Sequence, residues 1–341
     1  MEDTRFMLHC LDLAKRSYGR NEPNPMVGAV IVCHNQVIGK GYHEKYGEPH
    51  AEINALRNVQ PEHLPLLPES TMYVSLEPCS HHGKTPPCVD AIIKSGIRHV
   101  VIGTTDPNPM VAGQGMQKLR DAGITVVMSE KMEEAKLLLR PFKAHLQKRP
   151  YITLKCVKSK DHFMGKPGEY IWLSNNLSKV ISHIWRDQNH AILTGKNTVL
   201  TDDPALTTRT ISGNNPVRVL IDPSLTCRED RKIFNPPEKV VVINTLENSM
   251  HQNITRVKVN PGDTFEQEVL EKLYSMGIYH LLIEGGAFTL KSFLRKGLWD
   301  EARVISTPLV LQSGIPAPDI TGILHKNIPL DNNMLQVIYR D

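Results

Sequence analysis

The sequence predicts an α/β protein of two domains, 1–146 and 147–341. Three observations carry this. A chain of 341 residues with 40% hydrophobic and 22% charged residues has the length for two cores and the composition of a globular protein. Short apolar runs of strand length alternate along it with stretches of helical spacing. A charged, leucine-bearing helix over 130–146 is closed by Lys148-Arg149-Pro150, and the boundary falls there.

In the first half, Phe6, Met7, Cys10, Leu11, Leu13 and Ala14 recur at helical spacing and predict a helix over 3–18 that ends near Gly19. Residues 24–32 (NPMVGAVIV) lead into a buried strand, and 37–40 form a second strand after the turn His34-Asn35-Gln36. A helix is expected at 49–58, strands at 71–75 and 99–104, a helix at 113–122 and a strand at 125–127. In the second half, strands are expected at 151–157, 190–194, 217–221, 239–243, 256–259, 279–283 and 301–306. Helices near 176–187, 265–276 and 286–296 separate them, which makes the sheet mostly parallel and doubly wound, with its ligand at the carboxyl ends of the strands.

Composition excludes several classes. The longest apolar run, about Met26 to Cys33, is far short of the ~18 residues of a membrane span. The N-terminus, MEDTRFMLHC, is acidic where a signal peptide is basic, so a cytoplasmic location is expected. Cysteines at 10, 33, 79, 88, 156 and 227 are too sparse for a disulfide framework. A net charge of +4 without a Lys/Arg block suits anionic small molecules rather than a nucleic-acid groove.

The chemistry concentrates between Pro49 and Cys88. Here His50, Cys79 and Cys88 are three metal ligands in one short stretch, accompanied by Glu52. Three protein ligands with the fourth position left to water are the set of a catalytic zinc site, in which the pKa of water falls to about 7. On a helix over 49–58, His50 and Glu52 share the first turn, so Glu52 serves as proton shuttle and not as ligand. Pro86-Pro87 starts a second helix at Cys88, whose N-terminus favours a thiolate.

The H-x-E half of the zinc deaminase signature is present, but Pro78-Cys79 is followed by the longer insert SHHGKTPP before Cys88 instead of P-C-x-x-C. His-Ala-Glu followed by Glu-Pro-Cys-Ser-His-His-Gly-Lys-Thr-Pro-Pro-Cys resembles the riboflavin-biosynthesis deaminase, and so do Asn24-Pro25 and Asp106-Pro107-Asn108-Pro109. The resemblance implies a cytidine-deaminase-like α/β/α domain. It places Asn24, His43, Lys84, Asp106 and Asn108 around a pyrimidine ribose-phosphate. A polynucleotide base deaminase is the rival reading, and both the insert and the 6% aromatic content stand against it.

In the second half, Ile283-Glu284-Gly285-Gly286-Ala287 is a strand leading directly into a helix, where glycines allow backbone N–H groups to approach a phosphate. Ala191-Ile192-Leu193-Thr194-Gly195 and Thr198 to Arg209 resemble the reductase half of the same bifunctional family, a dihydrofolate-reductase-like fold that uses NADPH. The resemblance implies cofactor contacts at Lys158, Trp172, Thr198, Asp202, Gly285 and Gly286, and substrate contacts at Tyr170, Arg186, Leu206, Arg209 and Glu284. The two arginines suit a 5′-phosphate.

Three departures stand out. Ser159-Lys160-Asp161-His162 has His where the family commonly has Gly, which predicts a changed turn; Lys158 replaces a small residue, and Tyr170 a serine. They leave open the alternative of a non-catalytic second domain. The main expectation is zinc-hydroxide deamination of a diaminopyrimidinone ribosylamine phosphate followed by NADPH-dependent reduction of its ribosyl group to ribityl. By resemblance, a homodimer through the second domain is also expected.

Overall fold

The structure, a computed structural model, describes residues 4–82, 86–109, 111–169 and 171–341. It divides into two compact units, Met1–Gln147 and Lys148–Asp341.

The first unit is built on a five-stranded sheet in the order β2-β1-β3-β4-β5. Its strands are β1 (Gly28–Cys33), β2 (Gln36–Tyr42), β3 (Thr71–Val74), β4 (His99–Ile102) and β5 (Thr125–Met128). β1 pairs antiparallel with β2 and β3, whereas β3, β4 and β5 are parallel. Every residue of β1 is buried because both faces of the sheet are covered. Val30 and Val32 pack with Met7, Cys10 and Leu13 of α1 (Thr4–Ala14). Ala29 and Ile31 pack on the other side with Ala51 and Ala55 of α2 (Ala51–Arg57), and with Val89 and Ile92 of α3 (Cys88–Ser95). Each fully buried aliphatic side chain is worth about 2 kcal/mol.

Two glycines set how close α2 lies to the sheet. A Cβ on Gly41 would stand 2.4 Å from the Ala55 nitrogen, and one on Gly39 2.6 Å from the Ala55 carbonyl oxygen. No side-chain layer separates β2 from this helix, and only glycine permits that approach. The unit is completed by α4 (Gln114–Asp121), α5 (Met132–Leu138) and α6 (Arg140–Leu146). The single helix expected over 130–146 is therefore two, broken at Leu139 just ahead of Pro141, which sits where a proline starts a helix.

The second unit holds a ten-stranded sheet in the order β10-β11-β9-β8-β7-β12-β6-β13-β15-β14. The strands are β6 (Tyr151–Lys158), β7 (Ala191–Gly195), β8 (Val217–Ile221), β9 (Val240–Asn244), β10 (Ser249–His251), β11 (Ile254–Lys258), β12 (His280–Ile283), β13 (Glu301–Ser306), β14 (Ile323–Leu330) and β15 (Asn333–Tyr339). Pairing is parallel from β11 through β13. The short β10 and the hairpin β14–β15 add antiparallel edges. Ile152, Leu154 and Cys156 pack beneath α9 (Phe265–Ser275) and α10 (Ala287–Arg295), while Ile192, Leu220 and Val242 pack on the opposite face with residues such as Trp185 of α7 (Asn176–Asp187) and Val199 of α8 (Lys196–Asp202).

The chain leaves β6 for β7, runs outward, then returns to insert β12 between them. That reversal opens a crevice at the carboxyl ends of β6, β7 and β12. At the end of β6, His162 keeps φ at 66°, the left-handed conformation a glycine would take, and its N–H still bonds Ser159 O at 3.0 Å. A residue with a Cβ held there is strained.

Candidate functional site

The first unit gathers its chemistry at two helix N-termini. His50 immediately precedes α2, and Glu52 lies in that helix's first turn. Cys88 is the first residue of α3, and its backbone N–H donates to Cys79 Sγ at 3.3 Å. His50 Nδ1 lies 3.3 Å from Cys88 Sγ and 3.6 Å from Cys79 Sγ, so the three ligand atoms all fall within 4.8 Å of one another. A hydrogen bond from Cys88 and another from His50 bring the Cys79 thiol down to about 4. The same bond, with burial, pushes Cys88 up, and the bond to Cys79 raises His50. One nitrogen and two sulfurs converge while no carboxylate is needed as a ligand. This donor set fits zinc with one position left over.

Glu52 is only 3% exposed. Burial, then the negative charge of Cys79, push its carboxyl up to about 7. A buried carboxyl held near neutrality can both take and give a proton.

The predicted substrate residues divide. Asn24 and Asn108 are half-buried, and burial, then the charge of Glu77, raise the Asp106 carboxyl against the bond from Asn108. Its Oδ1 accepts the Asn108 N–H at 2.8 Å. His43 is 2% exposed, its Nδ1 faces the Pro49 carbonyl at 3.2 Å, and its Nε2 faces Asn24 Nδ2 at 3.0 Å. The carbonyl assigns the proton to Nδ1 and leaves Nε2 to accept from Asn24. Both its nitrogens are engaged, and burial lowers its pKa. Lys84 lies outside the described residues.

In the second unit the crevice is a cleft of about 1580 Å³. Its lining contains Trp172, Thr198, Asp202, Leu206, Arg209 and the Gly285-Gly286 turn, all expected from sequence. Lys158 is not part of that lining. Its Nζ stands 3.4 Å from His162 Nδ1, and Tyr170 lies outside the described residues. At the turn, Gly286 donates its N–H to Thr198 Oγ1 at 3.0 Å, and a Cβ on Gly285 would meet Thr289 Cβ at 2.9 Å. Each glycine lies close to a threonine.

Arg186 and Glu284 line the cleft as well, joined in an ion-pair network. Glu284 binds Lys155 Nζ at 2.7 Å through one oxygen and Arg186 through the other, at 2.6 and 3.2 Å, while Arg186 also donates to Thr207 O. Arg186 is thus engaged by a carboxylate, and Glu284 by two cations. Burial alone would raise Glu284, but Arg186 and Lys155 outweigh it and hold the carboxyl at about 2. Lys155 was missed. Its signal was a lysine in the middle of the mostly buried strand Tyr151–Lys158. His183 was missed too; it lines the cleft, and its Nδ1 accepts the Arg209 N–H at 3.1 Å. Burial, then Arg186 and Arg209, bring it down to about 4, so it is neutral at physiological pH.

Comparison with known proteins agrees with both halves. Residues 1–104 match the cytidine and deoxycytidylate deaminase zinc-binding region, and 150–330 match the RibD C-terminal domain. Fold and sites together define a bifunctional deaminase–reductase with a zinc-binding domain and a nicotinamide-cofactor domain. The riboflavin biosynthesis protein RibD of Aquifex aeolicus is 40% identical over 93% of this chain and 90% of its own. That of Escherichia coli K12 is 36% identical over 92% and 89%. Among solved structures, the Thermotoga maritima diaminohydroxyphosphoribosylaminopyrimidine deaminase/5-amino-6-(5-phosphoribosylamino)uracil reductase is 33% identical, covers 99% of this chain and 98% of its own, and superposes with a TM-score of 0.87. Acinetobacter baumannii RibD is also 33% identical with the same coverage and a TM-score of 0.82. The chain belongs to the RibD family of riboflavin-biosynthesis proteins.

Proposed function

We propose that the chain deaminates 2,5-diamino-6-(5-phosphoribosylamino)pyrimidin-4-one by hydrolysis and then reduces the ribosyl group of the product to ribityl with NADPH. The observation that carries this is the convergence of His50, Cys79 and Cys88 beside the buried carboxyl of Glu52. His50, Cys79 and Cys88 would hold one zinc ion per chain. Bound there, zinc supplies a Lewis acid that lowers the pKa of water to about 7. Glu52 takes a proton from the attacking water and passes it to the ring nitrogen. It then carries the second proton to the departing amine, which leaves as ammonia. Asn24, held by His43, and the Asp106–Asn108 turn position the pyrimidine.

In the second unit, Trp172, Thr198, Asp202 and the Gly285-Gly286 turn would line the NADPH side of the cleft, and NADPH supplies a hydride when bound. Arg209, exposed in the lining, is suited to the 5′-phosphate, while Arg186 and Lys155 keep Glu284 ionised. No described helix is long and apolar enough to cross a membrane, in keeping with a cytoplasmic enzyme acting on a small phosphorylated substrate. Ammonia release tests the reading. Glu52→Ala should abolish it while zinc stays bound, and near-normal release would reject the mechanism. NADPH oxidation should depend on prior deamination of the substrate.

A further inference from the structure

One buried carboxylate of the first unit has no part in the proton transfers above. Glu77 is 5% exposed and immediately precedes Pro78-Cys79. Its hydrogen bonds go to backbone, while the Asp106 carboxyl lies near enough to feel its charge. Its Oε1 accepts the N–H groups of Gly115 at 2.9 Å and Met116 at 3.2 Å, and its Oε2 those of Gly113 at 2.9 Å and Asp106 at 3.3 Å. Gly115 and Met116 belong to the first turn of α4, whose N–H groups have no partner within the helix and favour a negative charge. The approach is tight: a Cβ on Gly115 would fall 2.0 Å from the Pro78 carbonyl oxygen. The Glu77 N–H itself donates to Thr104 O at 2.9 Å, so the end of β3 and the loop after β4 are joined from both sides.

The gripped segment begins at Asp106 and carries Asn108. Asp106 Oδ1 accepts the Asn108 N–H, and Asn108 O accepts those of Val111 and Ala112 at 3.0 Å each. Glu77 thus supplies four bonds that tie this turn and the start of α4 to the strand end before Cys79, beside the backbone bond from its own N–H to Thr104 O.

We propose that Glu77 is a positioning residue of the deaminase: it fastens both ends of the loop bearing Asp106 and Asn108 to the strand end that delivers Cys79. It touches neither metal nor substrate, and acts by holding the substrate-facing turn at a set distance from the ligands. The proposal rests on the deaminase reading above.

The test uses the full-length zinc-loaded enzyme carrying Glu77→Gln, which keeps the shape but turns an NH₂ toward N–H groups that need an acceptor. Zinc content and reductase activity should be unchanged. The KM for deamination should rise roughly tenfold while kcat falls less than about threefold. Combined with Asp106→Ala, the rise in KM should be smaller than the product of the two single effects, because both act through one turn. An unchanged KM, or effects of Glu77→Gln and Asp106→Ala that simply multiply, would overturn the proposal. Should Glu77→Gln lose zinc, Glu77→Asp keeps the charge on a shorter arm and is judged by the same two outcomes. A wild-type enzyme that releases no ammonia would reject the deaminase reading itself, which separates the two failures.

Discussion

Replacing Glu284 by Gln in the second unit tests the ionic arrangement at the floor of the cleft. The substitution preserves size but leaves Lys155 and Arg186, whose side chains are 16% and 11% exposed, facing each other without the carboxylate between them. An ordinary glutamate titrates at 4.5, and Glu284 at about 2. At about 1.4 kcal/mol per tenfold change, that difference corresponds to roughly 3 kcal/mol of stability at neutral pH. Removing one member of a buried ion pair costs about 3–5 kcal/mol, in agreement. The sign follows from the depressed pKa. The contribution is complete above about 4.5, and is lost as pH falls from there toward 2.

All three tryptophans, Trp172, Trp185 and Trp299, lie in the second unit, so intrinsic fluorescence in urea reports on that unit. With a slope of about 2 kcal/mol per molar urea, the midpoint of Glu284→Gln should fall by about 1.5 M at pH 7. The gap to wild type should narrow below pH 4.5. A midpoint within about 0.3 M of wild type at pH 7, or a gap that does not change with pH, would refute the assignment of charge.

Three other outcomes are expected. Chelation of zinc should abolish deamination and spare NADPH oxidation with the deaminated intermediate; joint loss would mean that the metal also supports the second unit. Gly41→Ala drives a Cβ into the Ala55 backbone and should destabilise the first unit by about 1–3 kcal/mol, read as easier zinc release on heating, with reductase activity kept. His183 titrates in the fold at about 4 against an ordinary 6.5, so its contribution is complete above 6.5 and declines as pH falls toward 4. Glu284 contributes no slope above about 4.5, so His183→Gln should flatten the tryptophan-monitored stability profile between pH 6.5 and 4.5, and an equally steep profile would reject the assignment.

The metal centre was legible in sequence because its parts are local. His50 and Glu52 share a helical turn, and the insert between Cys79 and Cys88 is contiguous. The same was true of the parallel core, where runs such as Val240-Val241-Val242-Ile243 are apolar throughout because both faces are covered. What stayed hidden is non-local or exposed. Nothing near Glu77 in sequence announces that its partners lie at 106, 113, 115 and 116. The engagement of Arg186 needs β12 inserted beside β6, which places Glu284 next to Lys155 across 129 positions. The hairpin β14–β15 escaped because β14 is exposed along most of its length and shows no clean alternation of apolar residues. α8, only seven residues long, was absorbed into the segment read as a family motif.

That hairpin has a practical side. β14 reaches the sheet only through β15, which pairs with β13, and the family match ends at residue 330, between the two. A fragment trimmed to the match would discard the middle strand, leave β14 with nothing to hold, and lay bare the flank of β13, whose residues are almost all buried. Such an open row of backbone donors and acceptors invites pairing with other molecules. Anyone isolating the second unit should carry the chain past Tyr339, or expect precipitate.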